Sequence, residues 1–300
     1  MNSFHGLPTR KISSDLIQLE VLEHAGPRIV RLRFRGSVSL FAELPEFVIP
    51  TDFGDYHMWG GHRLWQAPES MPGTYFPDDE GNTITELSDG LLLEGVVEPH
   101  SGIVKSIEVR LSESRPEVRL RHILRNNGTK TVEMAPWPIT QLRLGGIAIA
   151  PMPAGEVDPN GLLPNRHFAL WPYTRIRDPR LRWDDDFLLL KAEPGLPPFK
   201  LGYFNTHGWL AYWIDGVLFL KRFRVDHKAV HPDGNCNAEV FCGDRFLELE
   251  SLGPQTIIAP GGHVQIDEIW ELTRDLQPLG LDTVVSRVSN TLETDGGAAT

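Results

Sequence analysis

Polar side chains that could bind a ligand or transfer a proton recur at alternate positions near the carboxyl end of the chain. The runs Cys236–Cys242 and Arg245–Leu252 alternate polar and apolar residues around Gly243-Asp244, which has the composition of a tight turn. We therefore predict a β-hairpin, whose strands present alternate residues on opposite faces. One face of this hairpin is expected to carry Asn237, Glu239, Glu248 and Glu250.

The predicted turn also decides which of these residues face one another across the hairpin. Glu239 is expected opposite Glu248, and Asn237 opposite Glu250. Like charges in such positions destabilise a sheet by about 0.2–1 kcal/mol, so a cation or a hydroxyl-rich ligand should lie over this face. A solvated outer face is the alternative. Two aromatic residues on the same face favour a concave, ligand-facing surface instead: Phe241 and Phe246.

A second cluster of candidate functional residues falls between turns at residues 60–69. Trp65 offers an apolar platform for the CH face of a sugar, and Arg63 offers a rigid fork of donors. His62 titrates near neutrality in an ordinary environment. The alternative is a loop in which His62, Arg63 and Glu69 satisfy one another.

A third cluster, residues 205–221, contains His207 and, on predicted strands, Trp209, Trp213 and Lys221. The ammonium of Lys221 is a natural partner for the carboxylates of the hairpin. Trp209 could bind a sugar ring, and a tryptophan buried in the core is the alternative.

Other sites have weaker support in the sequence. His231-Pro232-Asp233 could be a pair of metal ligands or an acid with its orienting carboxylate, but a simple turn is favoured. Cys-x-x-Cys pairs, His-Glu-x-x-His helices, phosphate-binding glycine loops and Gly-x-Ser-x-Gly elbows are missing. We therefore predict no metal and no cofactor.

Composition restricts the partners and the location of the protein. A formal net charge of −11 argues against binding to nucleic acids and to anionic membranes.

Cys236 and Cys242 lie on one predicted strand, about 20 Å apart, and so cannot form a disulfide. Neither a signal peptide nor a membrane span is recognisable. We expect a soluble cytoplasmic protein, and the sequence leaves its oligomeric state open.

Short alternating runs separated by turns dominate the chain, which contains 28 Gly and 24 Pro. This pattern is typical of an all-β sandwich or barrel. We predict a single domain of residues 1–300, with its sandwich core at about 15–275. A helix is expected at 278–293, where apolar residues recur at helical spacing, followed by a disordered tail at 294–300.

Several segments together resemble the galactose mutarotase-like superfamily, which includes the aldose 1-epimerases. More narrowly, the chain is similar to an uncharacterised bacterial subgroup of that superfamily, a domain of unknown function. The similarity extends over about residues 15 to 275. The segments that carry it are Gly60–Trp65, Asn237–Val240, Glu248–Pro254, Ala259–Gly262 and Glu268–Leu272.

The resemblance implies a large antiparallel β-sandwich, a supersandwich, with a concave carbohydrate site. It assigns the general base to Glu250, in the segment that matches a Leu-Glu-Thr motif, and hydroxyl binding to Arg63. The family takes its general acid from a histidine, but the corresponding segment Ala135–Leu142 contains none. His62 and His207 are therefore the candidate acids.

Three functions are compatible with these observations. The first is an isomerase of the aldose 1-epimerase type, which interconverts sugar anomers by general acid/base catalysis without a cofactor. The second is a carbohydrate-binding module that performs no chemistry. The third is a polysaccharide lyase or hydrolase. In each case the expected partner is a small sugar or a glycan.

Overall fold

Two large antiparallel sheets pack face to face and make the chain an all-β sandwich. The computed structural model describes residues 3–274 apart from Ala154 and Glu156. Two short helical turns lie in this range, at Gly73–Tyr75 and at Pro232–Asn235. The strands, in chain order, are β1 (Ser3–Phe4), β2 (Leu7–Ser13), β3 (Ile17–Leu22), β4 (Arg28–Phe34), β5 (Glu43–Thr51), β6 (Gly54–Ala67), β7 (Thr83–Leu87), β8 (Gly90–Glu94), β9 (Ile103–Leu111), β10 (Glu117–Asn126), β11 (Val132–Arg143), β12 (Ile147–Pro151), β13 (Phe168–Leu170), β14 (Leu181–Trp183), β15 (Phe187–Lys191), β16 (Phe199–Tyr203), β17 (Trp209–Ile214), β18 (Val217–Phe223), β19 (Ala238–Cys242), β20 (Phe246–Ser251), β21 (Thr256–Ile258) and β22 (His263–Arg274).

The first sheet contains twelve of the described strands, in the order β1-β2-β3-β4-β6-β11-β20-β19-β16-β13, with β5 paired to β6 and β21 to β11. The second sheet contains ten, in the order β14-β15-β12-β17-β18-β22-β10-β9-β8-β7. This architecture confirms the predicted antiparallel β-sandwich.

The burial of individual strands shows which sheet surfaces are covered. Along β10 buried and more exposed residues largely alternate, because one face packs on the core and the other faces water. Almost every residue of β11 and every residue of β20 is buried. The centre of the first sheet is therefore covered on both faces, by the second sheet on one side and by loops and side chains on the other.

Aromatic rings fill the middle of the core between the two sheets. Trp270 on β22 contacts Phe41 edge to face at 5.7 Å between ring centroids, and Phe219 at 5.6 Å. All three side chains are buried. Edge-to-face pairs of this kind stabilise a core beyond the effect of the area they bury.

Most of the strands predicted from the sequence are present close to their expected bounds. The predicted run 103–111 coincides with β9, and the run that begins at Leu16 corresponds to β3. Asn126–Gly128 is expected as a hairpin turn or a loop; Asn126 is the last residue of β10, and a loop begins after it. This loop connects β10 in the second sheet to β11 in the first.

The hairpin of β19 and β20 forms as predicted, but its register differs. Glu239 lies opposite Glu250, and Phe241 opposite Glu248, so the predicted Glu239–Glu248 pairing was wrong. Gly243, Asp244 and Arg245 connect the two strands, and a hydrogen bond from Gly243 N to Phe246 O closes the connection. The observed register is shifted by two residues from the predicted one. Because this is an even number, every side chain keeps its predicted face.

The predicted helix at 278–293 and the predicted tail at 294–300 lie outside the described residues. Within the described part of the chain, the helical segments are far too short and polar to cross a bilayer. Cys236 and Cys242 are both buried and free, as the sequence predicted.

Replacing Trp270 by alanine should lower the free energy of unfolding by about 3–5 kcal/mol, because it removes the central ring of the buried aromatic cluster. Urea unfolding followed by circular dichroism would measure the loss. Ile257→Ala is the matched control, since Ile257 is 71% exposed and its truncation should change stability by less than about 0.5 kcal/mol. Equal losses in the two variants would contradict this description of the core.

Candidate functional site

A cluster of polar side chains lies at the centre of the first sheet, on the face that points away from the second sheet. On β20, Leu247 and Leu249 enter the core between the sheets, so Glu248 and Glu250 point the other way. Side chains of the neighbouring strands join them. We call this group the polar face, and its further members are Arg63 on β6, Trp137 and Gln141 on β11, Glu239 on β19, and Lys200 on β16.

An irregularity in β6 brings Arg63 onto the polar face. Trp59 and the pair Gly60-Gly61 have positive φ angles of 52°, 88° and 74°. A Cβ at either glycine would lie within 2.2 Å of a backbone oxygen of a neighbouring segment, so only glycine fits. Tyr56 before this point and Trp65 after it pack in the same cluster, although their positions differ by an odd number. The irregularity therefore reverses the faces of the second half of β6.

Lys200 holds two carboxylates of the polar face together. Its Nζ lies 2.7 Å from Glu239 Oε2 and 2.9 Å from Glu250 Oε2. Trp137 Nε1 donates a second hydrogen bond to Glu250 Oε2, at 2.8 Å. One oxygen of Glu250 is thus fixed by a cation and an indole, and the carboxylate has a defined orientation.

Two indole rings enclose the ammonium of Lys200. Its Nζ lies 4.7 Å from the ring centroid of Trp137 and 4.7 Å from that of Trp171, which belongs to the connection between β13 and β14. Thr174 fixes this connection, because its hydroxyl donates to Lys200 O at 2.6 Å and accepts from Lys200 N at 3.0 Å. The segment 171–174 therefore covers the inner part of the polar face.

Glu248 lies in a different environment from Glu250. Its Oε1 accepts hydrogen bonds from Arg63 Nη2 at 3.2 Å and from Gln141 Nε2 at 3.0 Å. The guanidinium of Arg63 stacks on the ring of Trp65, 4.1 Å from its centroid. Burial and the nearby charge of Glu250 raise the pKa of Glu248 to about 7, although Arg63 opposes the shift.

The pKa values of three inner groups are all raised, but for different physical reasons. Burial raises the pKa of Glu239 well above its usual value, and Lys200 only partly offsets this. Burial lowers the pKa of Lys200, but the charges of Glu250 and Glu239 outweigh it and hold that pKa well above normal. Burial also raises the pKa of Asp233, which lies beside Glu239 in the helical turn before β19. The ammonium of Lys200 therefore stays charged, whereas burial favours the protonated forms of Glu239 and Asp233.

Several buried polar atoms of this face lack a hydrogen-bond partner among the described residues. Among them are Arg63 Nε and Nη1, Gln141 Oε1, Glu239 Oε1 and Glu250 Oε1. An unsatisfied buried polar atom costs about 1–3 kcal/mol, and such groups are generally paired with protein, water or ligand. Donors and acceptors are both present, which suits hydroxyl groups because each can donate and accept.

Aromatic side chains border the polar face. Tyr75 contacts Trp65 at 4.7 Å and Tyr56 at 5.8 Å between ring centroids. Phe241 and Phe246 pack on each other at 5.7 Å beside Glu248. Rings of this kind pack favourably against the CH faces of a sugar.

Five of the residues proposed from the sequence meet at this site. They are Glu239, Glu248, Glu250, Arg63 and Trp65. The role of Trp65 differs from the predicted one, because Arg63 covers its ring and Trp65 therefore supports the arginine. Asn237 is buried nearby, but its amide is used by Asn205, accepting from the backbone N at 2.6 Å and donating to the backbone O at 3.1 Å.

The assignment of His62 to the site is corrected by the structure. The reversal in β6 turns His62 into the core, where it is fully buried. Its Nδ1 lies 2.9 Å from Thr140 Oγ1, and its Nε2 lies 2.7 Å from His122 Nε2. Burial lowers the pKa of His62 well below its usual value, with His122 contributing. His62 is thus a neutral core residue on the face opposite to Glu250.

Lys221 also belongs to the core and not to the carboxylates of the hairpin. Its Nζ pairs with Glu268 at 3.1 Å and donates to the backbone oxygens of Pro138 and Leu249, each at 3.1 Å. The position predicted for Lys221, next to Glu239, is occupied by Lys200.

Trp209 and His207 lie away from the polar face. Trp209 on β17 packs against Phe187 at 6.1 Å, in a cluster of the second sheet, so the alternative of a packing tryptophan is correct. His207 is exposed in the turn before β17, and its backbone N donates to Asn205 Oδ1.

His62, His122 and Glu268 are close enough together to ligate a metal ion. Their hydrogen bonds form a complete network, however. The two imidazoles bond to each other, and Glu268 accepts from Ser251 Oγ and from Trp270 Nε1. The ammonium of Lys221 already neutralises Glu268 and would repel a metal cation. We therefore interpret this cluster as part of the core.

Sequence reasoning missed three members of the polar face. Trp137 and Gln141 lie in the segment Ala135–Leu142, in which only the lack of a histidine was noted. Lys200 follows the stretch Pro194–Pro198, whose composition is typical of a loop. The alternation of Trp137, Ile139 and Gln141 was the available signal for the first two.

The fold is shared with solved structures of low sequence identity. A galactose mutarotase-like protein from Lactobacillus casei is 10% identical, covers 89% of this chain and 100% of its own, and has a TM-score of 0.52. A candidate aldose 1-epimerase from Escherichia coli is 14% identical over 90% and 100% of the two chains, with a TM-score of 0.53. A TPR-domain containing protein from Parabacteroides distasonis is 13% identical over 92% of this chain and 48% of its own, with a TM-score of 0.60. Neither the protein-family models nor the curated proteins gave a match.

Replacing Lys200 by methionine should destabilise the protein by about 3–5 kcal/mol at pH 7, because Glu239 and Glu250 would be left buried without their cation. Burial raises the pKa of Glu239 and Lys200 opposes this shift, so without the lysine the pKa of Glu239 would lie further above that in the unfolded chain. The folded state then binds more protons, so the free energy of unfolding of the variant should rise as the pH falls from 7 to 5.

Urea unfolding of the variant at several pH values measures both effects. Lys191→Met is the matched control, since Lys191 is half exposed and pairs only weakly with Glu193. A stability of Lys200→Met equal to that of the control would contradict the proposed role of the ammonium.

Proposed function

Because the chain has the galactose mutarotase-like fold, we propose that its polar face binds the ring of an aldose and interconverts the two anomers. In this proposal the protein is an isomerase of the aldose 1-epimerase type. The observation that carries it is the environment of Glu250. One oxygen of this carboxylate is held by Lys200 and Trp137, and the other is buried without a partner.

Glu250 is the general base of the proposed reaction. Hydrogen bonds from an ammonium and an indole favour the ionised carboxylate and fix its direction. Its Oε1 would accept the proton of the anomeric hydroxyl while an acid protonates the ring oxygen. The ring opens, the aldehyde rotates about the C1–C2 bond, and closure on the other face gives the second anomer. A correctly placed acid or base contributes about 10²–10⁴-fold to such a rate.

The other side chains of the site would bind and orient the sugar. Arg63 has two nitrogens free to donate to ring hydroxyls, and the free oxygen of Gln141 could accept from one. Tyr75 and the phenylalanines beside Glu248 would pack against CH groups. Since Glu250 is fully buried, the sugar would have to displace covering side chains, and Trp171 and Tyr173 are the partly exposed ones.

A carbohydrate-binding module without catalysis is the second candidate function. The burial of Glu250 and Glu239 favours this second function, because a carboxylate that a substrate cannot reach can neither accept a proton from the substrate nor donate one to it. The position of His62 in the core also favours it. Under this proposal Arg63, Gln141 and Glu248 alone would hold the glycan at the outer part of the polar face.

Anomer exchange measured by two-dimensional NMR on a panel of aldoses and uronic acids distinguishes the two functions. We expect the protein to accelerate exchange of at least one aldose and Glu250→Gln to lower the rate by about 10²–10⁴-fold, because the amide cannot act as a base. Glu133→Gln is the matched control, since Glu133 is an exposed residue of β11 outside the polar face.

The same spectra report binding through line broadening. Broadening by the unmodified protein without faster exchange would favour the binding module. Accelerated exchange that survives in Glu250→Gln would show that Glu250 is not the base.

A further inference from the structure

Anomer interconversion needs a proton donor as well as a base, and this inference, which rests on the proposed function, concerns that donor. The segment Ala135–Leu142 contains no histidine, and His62 lies on the other side of the sheet. The donor must lie on the same face as Glu250. It must also be within reach of the ring oxygen of a sugar whose anomeric hydroxyl contacts Glu250.

Glu248 meets the distance requirement. It lies two residues before Glu250 on the same strand and points to the same face. Two residues of a strand span about 6.5–7 Å. The hydroxyl and ring oxygens of a hemiacetal share one carbon, so groups on either side of that carbon could each make a hydrogen bond over this separation.

Glu248 is also the most accessible of the three carboxyl groups. Its side chain is 10% exposed, whereas the side chains of Glu239 and Glu250 are 0% exposed. Arg63 and Gln141 both bond to Oε1 of Glu248. Its Oε2 is therefore available to carry a proton towards a ligand.

We propose that Glu248, in its protonated form, is the general acid of this site and replaces the histidine that the sequence lacks. Its Oε2 proton passes to the ring oxygen as the bond between that oxygen and C1 breaks. The anomeric hydroxyl gives its proton to Glu250 and becomes the aldehyde oxygen. After rotation, the same transfers in reverse close the ring, and both carboxyl groups return to their starting states.

The electrostatic surroundings of Glu248 suit an acid that works near neutrality. Burial and Glu250 raise its pKa to about 7, and Arg63 and Lys200 limit that rise. Tyr75 and Tyr173 also face it, and Lys221 acts on it through the sheet. A fraction of Glu248 is thus protonated at pH 7, and Arg63 stabilises the carboxylate that remains after the proton has left.

The first test compares Glu248→Gln and Glu248→Asp with the unmodified protein in anomer exchange from pH 5 to pH 9. Glutamine keeps the oxygen that Arg63 contacts but cannot donate an acid proton. We expect kcat to fall by about 10²–10³-fold with the Kd for the sugar changed less than about threefold, and aspartate to recover part of the rate.

The dependence of the exchange rate on pH tests whether Glu248 acts in its protonated form. A general acid is active only while protonated, so the rate of the unmodified protein should decline as the pH rises through about 7. This alkaline decline should be absent in Glu248→Gln. An unchanged rate and profile in Glu248→Gln, in a protein whose exchange is abolished by Glu250→Gln, would overturn the assignment and leave the proposed function intact.

A second measurement does not depend on activity. In protein labelled with ¹³C at the glutamate carboxyl carbons, the resonance that disappears in Glu248→Gln should titrate near pH 7. Titration below pH 5 would overturn the assignment even if the protein is an active epimerase. An unmodified protein that leaves exchange at the buffer rate would overturn both the assignment and the proposed function.

Discussion

The ammonium of Lys200 between Glu239 and Glu250 is the interaction on which the candidate site depends. Removing these charges from water costs several kcal/mol per ion, so each must be compensated by a partner of opposite charge or by hydrogen bonds. One lysine serves two carboxyl groups only because β16, β19 and β20 are neighbours in this order. The two indoles on either side of the ammonium exclude water from the pair and strengthen its attraction.

A buried lysine contacts each face of the first sheet: Lys221, from β18 of the second sheet, on the core face and Lys200 on the polar face. On the core face, Lys221 donates to two backbone oxygens and to Glu268, whose carboxylate is further bonded by Trp270. That network is complete. On the other face, Lys200 fixes one oxygen of Glu250 and leaves the second without a partner. Only the arrangement around Lys200 therefore leaves a buried carboxylate oxygen that could accept a hydrogen bond from a ligand.

The sequence allowed the fold and the face of each hairpin residue to be predicted, because the alternation of period two survives a register shift by an even number of residues. It could not predict the reversal in β6. Trp59 to Gly61 change the phase of the strand through positive φ angles that the glycine pair permits, so Arg63 was correctly placed at the site and its neighbour His62 was not. Lys200 was missed because a charged residue that belongs to a buried pair has the same local pattern as an exposed one.

The difference between Glu248 and Glu250 follows from where the available cations lie. Two carboxylates on one buried strand face repel each other, and burial together with the charge of Glu250 raises the pKa of Glu248. Glu250 pairs with Lys200 and accepts a hydrogen bond from the indole of Trp137. Glu248 pairs with Arg63, whose guanidinium also stacks on Trp65, and its side chain is more exposed than that of Glu250. If the polar face catalyses the proposed anomer exchange, one type of side chain could therefore serve there as both base and acid, because its two copies lie next to different cations.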